Sequence, residues 1–234
     1  MKKLAIGLVI VVGVLGGVFL LTREKSTDSS ESQAKQVTSK SSDNEKSNSD
    51  SNLSADLVIG SPSAKVTIVE YADFKCPTCN RFHREAGQEV RKEYLDTGKA
   101  KIVFRNLPFI SEDSRTAAEG AYCANDQSKF VQYHDLLFNH IYDEYYSKGK
   151  ITEGESEPVF STENLKKLVT QVGIDDAEFE ACLNDGKFKD AVTSDLDQSK
   201  NDGATGTPTF IIAGQKLVGA QPFGVYDKLI SIGL

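Results

Sequence analysis

The chain carries no basic stripe and no interleaving of basic with aromatic residues, and its 27 Lys and Arg are outnumbered by 34 Asp and Glu. A net charge of −7 and a pI near 5.1 argue against a nucleic-acid partner and mark the acidity as a contribution to solubility. Cysteine and histidine are scarce, four and three in 234 residues. Cys76, Cys79 and His83 form a C-x2-C-x3-H run, but this supplies three ligands where a structural zinc needs four, and Cys123 and Cys182 make no second close pair. No metal or other cofactor is expected, and His83 reads as a helix-surface residue. Asn80 stands where haem attachment would need histidine, which excludes that reading too. His134 and His140 read as structural, within the amphipathic run Phe130 to Tyr142.

The first 21 residues hold an uncharged apolar run, Leu4 to Leu21, that at 18 residues just reaches bilayer length. It has no clear A-x-A cleavage pattern and no cysteine to carry a lipid, which favours an uncleaved anchor over a cleaved signal peptide. Residues 22–54 are Ser, Asp, Asn, Glu, Lys and Gln with almost nothing apolar, so they cannot bury a core. As a flexible coil of roughly 30 residues they would span on the order of 30 Å, a stalk between membrane and domain. Residues 55–234 suffice for one well-buried domain. Nothing in the chain reads as a dimerisation domain, so a monomer is expected.

Cys76-Pro77-Thr78-Cys79 follows the strand-like run Lys65 to Tyr71 and opens a helical stretch. A cysteine at a helix N-terminus has its thiolate, the reactive form, favoured by unpaired backbone N–H groups and the helix dipole. Pro77 suits the first helical turn, where no N–H partner is needed. A CxxC in this setting points to thiol and disulfide redox chemistry. Such chemistry belongs outside the cytoplasm, which places a short N-terminus inside and the domain outside, at the cell membrane. The flanking charges, Lys2 and Lys3 against Arg23 and Lys25, decide orientation only weakly.

The coarse pattern gives strand at Lys65–Tyr71, one helix from Cys76 to about Asp96, and strand at Lys101–Asn106, a βαβ unit. Helical stretches follow at Ser114–Asn125, Gln127 to about Tyr146, Ser161–Val172, Asp175–Asn184 and Lys187 to about Asn201, with Gly149, Gly154, Gly173 and Gly186 as breaks. Then come strands at Thr209–Ala213 and Gln215–Val218 and an amphipathic helix from Pro222 to Leu234. This is α/β: a thioredoxin-like fold with a helical insertion at about 110–201.

Phe74-Lys-Cys-Pro-Thr-Cys79, Arg105-Asn-Leu-Pro108, Ala121-Tyr-Cys-Ala124, Lys129 to Asp135 and Thr205-Gly-Thr-Pro-Thr-Phe210 resemble the DsbA-like thiol-disulfide oxidoreductases of the thioredoxin superfamily. Within that family the chain is most similar to membrane-tethered Gram-positive members that put disulfides into exported proteins. The resemblance implies that Cys76 is the exposed sulfur in exchange and Cys79 its more buried partner. It further implies that the Thr207–Pro208 bond is cis and faces the CxxC, and that Pro77, Thr78, Thr207 and Pro208 shape the substrate site. The implied partners are reduced, unfolded exported proteins and a membrane quinone-linked thiol oxidase that recycles the pair. Pro208 offers no N–H, while the Thr207 backbone can pair with an extended substrate strand.

Glu70 lies six residues before Cys76, and strand alternation puts it on the side of Val66 and Ile68. The family often has an acid there, beneath the CxxC, where a buried carboxyl could relay the Cys79 proton. The other reading is a solvated Glu at a strand end. Cys123 and Cys182 lie 59 positions apart in two expected helices, and an even cysteine count in an exported protein invites a structural disulfide, against two buried free thiols. The expected function is extracytoplasmic donation of the Cys76–Cys79 disulfide to exported proteins. A reductase or isomerase of the same fold, and a non-catalytic peptide-binding chaperone, are the alternatives.

Overall fold

The computed structural model describes residues 56–234. The expected anchor at 1–21 and stalk at 22–54 lie outside the described residues; among those described, no helix is long and apolar enough to cross a membrane.

The sequence reading gives no strand before Lys65, yet the structure forms β1 at Leu57–Gly60. Four residues after a polar stretch give too little alternation to recognise, and the strand is defined by its distant partner. β2 (Val66–Ala72) runs parallel to β3 (Ala100–Asn106), and β1 pairs antiparallel with β3, Leu57 opposite Phe104. β4 (Thr209–Ile212) and β5 (Gln215–Val218) complete a five-stranded sheet in the order β1-β3-β2-β4-β5. β2 lies at the centre between a parallel and an antiparallel neighbour, so both its edges are paired. Its residues Val66, Ile68 and Glu70 alternate onto one buried face, as the pattern implies.

The single helix expected from Cys76 to about Asp96 is broken. α1 (Pro77–Arg84) stops at Glu85, whose φ of −109° and ψ of −105° are not helical; α2 (Ala86–Val90) restarts, and a π-helical turn Arg91–Leu95 closes the run. Gly87 lets the restart pack closely, because a Cβ there would stand 2.6 Å from the Phe82 carbonyl oxygen. Sequence periodicity does not register such a break, since the apolar positions on both sides continue to face the core.

The insertion runs through α3 (Glu112–Asp126), α4 (Phe130–Glu144), a 3-10 turn at Tyr146–Lys148, α5 (Ile151–Ser156), α6 (Thr162–Val169), α7 (Asp176–Asn184) and α8 (Lys189–Asn201). The Ser161 side chain caps α6 and that of Asp175 caps α7, each accepting backbone N–H groups of the first turn. α5 is a departure: Gly149 and Gly154 mark breaks in the sequence, but only Gly149 ends an element, at φ +73°, while Gly154 sits buried inside a helix. α9 (Phe223–Gly233) returns to pack on β2 and β4.

Cys123 of α3 and Cys182 of α7 are bonded to each other. Closing a loop of 59 residues is worth up to about 4 kcal/mol in the chain-entropy account. The insertion is tied to the sheet through Asp195 of α8, which accepts from Asn106 N–H (2.9 Å) and Tyr122 Oη (2.7 Å) and pairs with Arg105. Two aromatic groups dominate the core: Phe74 against Phe104 and Phe138 (5.2 Å each), and Phe82 against Phe210 and Tyr226 (4.5 and 5.1 Å). Each such buried ring contributes about 1.5–3 kcal/mol by leaving water. The second group lies under α1 and fixes the floor on which the cysteine turn rests.

Candidate functional site

The strand-to-helix turn does what its sequence dictates. Cys76 is the N-cap of α1 with extended backbone (φ −76°, ψ 119°), and Pro77 occupies the first helical position. Cys76 Sγ accepts the Cys79 backbone N–H at 3.4 Å, the arrangement an N-cap side chain adopts. Both sulfurs are free thiols.

Their environments push them in opposite directions. Cys76 is lowered from the usual thiol range to about 6, first by the hydrogen bond from the Cys79 thiol, with help from Thr207 and from the backbone N–H groups of Cys79 and Thr78, against the opposing effect of burial. Cys79 is raised well above the usual range, first by burial and then by the negative charge and hydrogen bonding of Cys76. The expected exposure of Cys76 needs correction: it is only 6 % exposed, against 0 % for Cys79. The reason is the opposing loop, whose Thr207 carbonyl lies 3.5 Å from Cys76 Sγ.

In that loop the Thr207–Pro208 peptide is cis. The buried Thr207 hydroxyl has no hydrogen-bond partner among the described residues. Gly206 has open space around its Cα, so the approach is clear of side chains. Pro77 and Thr78 are half-buried at the same turn.

Glu70 is 2 % exposed, which excludes the solvated strand-end reading, and burial alone pushes its carboxyl up to about 8. It borders a cavity of about 20 Å³ between sheet and helices, lined also by Phe82, His83, Gln88 and Arg91; that is room for about one water. Tyr226 feels the charges of both Glu70 and Cys79, but no hydrogen bond joins those two groups directly among the described residues.

His83 is not on the helix surface. It is 7 % exposed, stacked on Phe138 and edge-on to His134, both at 5.2 Å, because α4 packs over that side of α1. Burial lowers it to about 3 and lowers His134 as well, so both rings are neutral at pH 7. His83, His134 and Asp135 bring potential ligand atoms within 4.8 Å of one another. Asp135 Oδ1 is already shared by Arg91 and His134 Nδ1, each at 2.8 Å, and Arg84 borders the same hollow. A divalent cation would meet two guanidinium groups and one carboxylate, so the cluster reads as a charge-compensated hydrogen-bond group. His140 lies half-buried against Phe160, which fits a structural role.

Sequence reasoning missed a second tier behind Cys76. Lys75 is 0 % exposed; its Nζ donates to Asp113 Oδ1 and to the Glu157 carbonyl, both at 2.7 Å. Asp73 accepts from the N–H groups of Lys75, Phe109 and Ile110 and from Ser114 Oγ. Tyr146 donates its hydroxyl to the Lys75 carbonyl. A lysine beside a reactive turn reads as solvent-facing in any local pattern, and its partners lie 38 and 82 positions away.

Two relatives, one solved structure and one family model bear on the kinship of the chain. Disulfide bond formation protein D of Bacillus subtilis is 28 % identical over 174 residues, covering 74 % of this chain and 72 % of that protein. Na(+)/H(+) antiporter NhaA 3 of Salinispora tropica is 31 % identical over 163 residues, and there the chain spans only 22 % of the relative's length. The crystal structure of oxidised BdbD from Bacillus subtilis superposes with a TM-score of 0.64 at 22 % identity, covering 76 % of this chain and 92 % of that one, a likeness of fold. The Thioredoxin_4 family model, described as thioredoxin, matches residues 52–231, and the chain therefore belongs to the thioredoxin family.

Proposed function

We propose that this chain is an extracytoplasmic thiol-disulfide oxidase that donates a Cys76–Cys79 disulfide to reduced exported proteins. The observation that carries the reading is the opposite displacement of two neighbouring thiols, Cys76 down to about 6 and Cys79 well up. A stabilised Cys76 thiolate stabilises the reduced protein, which makes the disulfide a better oxidant.

A substrate thiolate attacks Cys76 Sγ; the Cys76–Cys79 bond breaks and Cys79 leaves as thiolate, taking up a proton because its ionised form is disfavoured by burial. A second substrate thiolate then attacks the substrate sulfur of the mixed disulfide, and Cys76 leaves as its stabilised thiolate. Two electrons pass from substrate to protein, and the product is a substrate disulfide. Glu70, protonated at neutral pH in the same core, is the proposed proton source for Cys79. Thr207 offers its backbone to an extended substrate beside Cys76, with Pro208, Pro77 and Thr78 shaping the approach.

The similar Bacillus subtilis protein, disulfide bond formation protein D, supports the same reading by its name. Anchoring by Leu4 to Leu21, a stalk at 22–54 and recycling by a membrane quinone-linked thiol oxidase complete the proposal; retention of the chain in membranes after alkaline extraction tests the anchor. The decisive experiment is the redox equilibrium of Cys76 and Cys79 against glutathione, together with oxidation of a reduced, unfolded protein. An equilibrium lying well to the reduced side with net oxidase activity is expected. A pair that equilibrates as a reductant would favour a reductase or isomerase, and a chain indifferent to loss of Cys76 would favour a binding module.

A further inference from the structure

Besides α3 and α4, the insertion reaches back to the cysteine turn through a short stretch, residues 145–157. Its 3-10 turn Tyr146–Lys148 and α5 were not legible in the sequence, and three features converge there. The Tyr146 hydroxyl donates to the carbonyl of Lys75, the residue directly before Cys76. The Glu157 carbonyl, at the end of α5, accepts from Lys75 Nζ at 2.7 Å, beside Asp113. Gly154 is buried against the Tyr146 ring: a Cβ added to it would stand 2.5 Å from Tyr146 Cε1 and 3.1 Å from Tyr145 Cβ. Tyr145 in turn donates to Glu157 Oε2 at 3.0 Å.

The backbone around Lys75 is consequently held at every polar group. Its N–H goes to Asp73 Oδ1 at 2.8 Å, its C=O to Tyr146, and the next N–H, that of Cys76, to the Asp73 carbonyl at 3.0 Å. The side chain of Lys75 is fixed as well, in a fully buried ion pair with Asp113. A lysine brought wholly out of water is costly unless its partners are well placed, so this arrangement resists displacement. The Tyr146 hydroxyl is close enough to the reactive pair to feel the charges of Cys76, Cys79 and Asp73, together with Glu155 on its own side.

We propose that Tyr146 is a positioning residue for Cys76: seated by Gly154 and braced by the Lys75–Asp113 pair, its hydroxyl fixes the Lys75–Cys76 peptide and so holds Cys76 Sγ against the N–H groups that stabilise its thiolate. The inference rests on Cys76 being the redox sulfur of the proposed oxidase. It assigns the helical insertion a task beyond covering the site, that of setting how strongly oxidising the disulfide is. The tyrosine acts only through the peptide it holds and touches neither substrate nor electrons.

The test is Tyr146→Phe in the full chain, which removes one hydroxyl and keeps the ring on Gly154. Losing one hydrogen bond of ordinary worth should shift the glutathione equilibrium about threefold to tenfold toward the disulfide, and the alkylation profile of Cys76 should move to higher pH. The melting temperature serves as control. Gly154→Ala, which forces the Tyr146 ring to shift, should move both readouts in the same direction although neither the thiols nor Tyr146 is substituted. An alkylation profile and equilibrium equal to those of the parent in Tyr146→Phe, or a change in melting temperature alone, would overturn the proposal. The parent separates the two readings: if it fails to oxidise substrate, the proposed function falls, whereas the Cys76 profile in Tyr146→Phe still reports on the positioning.

Discussion

At the scale of single residues, the two thiols differ because one is an N-cap and the other is one helical turn deeper. Alkylation of Cys76 should follow a titration centred near pH 6, well below an ordinary cysteine; a midpoint above pH 8 would contradict it. Cys76→Ser should abolish oxidation of reduced substrates, and Cys79→Ser should accumulate mixed disulfides through Cys76, both visible on non-reducing gels. Glu70 makes a separate prediction. Its folded value of about 8 lies above the unfolded one near 4.5, so the folded state binds the extra proton and stability drains away as pH rises between those values. Glu70→Gln removes that drain, and its stability relative to the parent should climb from pH 5 to pH 8, by on the order of 3 kcal/mol at most. Urea unfolding at a series of pH values measures it, and a pH-independent difference would show that Glu70 is not buried as a neutral acid.

Among the elements, the bond between α3 and α7 and the buried pair between α1's entry and α3 do different work. Cys123→Ala with Cys182→Ala should lower unfolding free energy by up to about 4 kcal/mol and leave thiol exchange at Cys76 largely intact, because neither residue is among the groups that set the environment of Cys76 and Cys79. Lys75→Met strands Asp113 in the interior without its cation, and loss of about 3–5 kcal/mol is expected. Adding Asp113→Asn should recover much of it. Denaturant midpoints compare the three, and a double variant no better than Lys75→Met would show that packing, not charge, holds the junction.

For the molecule as a whole, redox state and stability are linked. Only the reduced form contains the Cys76 thiolate, whose folded value near 6 lies below the ordinary thiol value of 9. This acid is depressed on folding, so its contribution is complete above the unfolded value and is lost as pH falls through about 6. The stability of the reduced form relative to the oxidised form should therefore fall by about 1 kcal/mol between pH 7 and pH 5. Paired thermal or urea unfolding of the two forms checks the sign, and a gap that widens toward acid would refute the thiolate account.

The sequence by itself determined the features whose cause is local. Cys76 and Pro77 specify a helix start wherever that turn is placed; the alternation of Val66, Ile68 and Glu70 assigns one strand face; the polar caps at Ser161 and Asp175 start their helices. The order of strands and helices followed from these signals, and the family resemblance supplied the cis Thr207–Pro208 bond. Tertiary structure decided what depends on remote partners. β1 exists because β3 pairs with it. His83 is buried because α4 lies over it, and Lys75 is inside because Asp113 and Glu157 meet it there. A charged or imidazole side chain reads as surface in any short window, and only contacts from distant segments can offset the cost of taking it out of water.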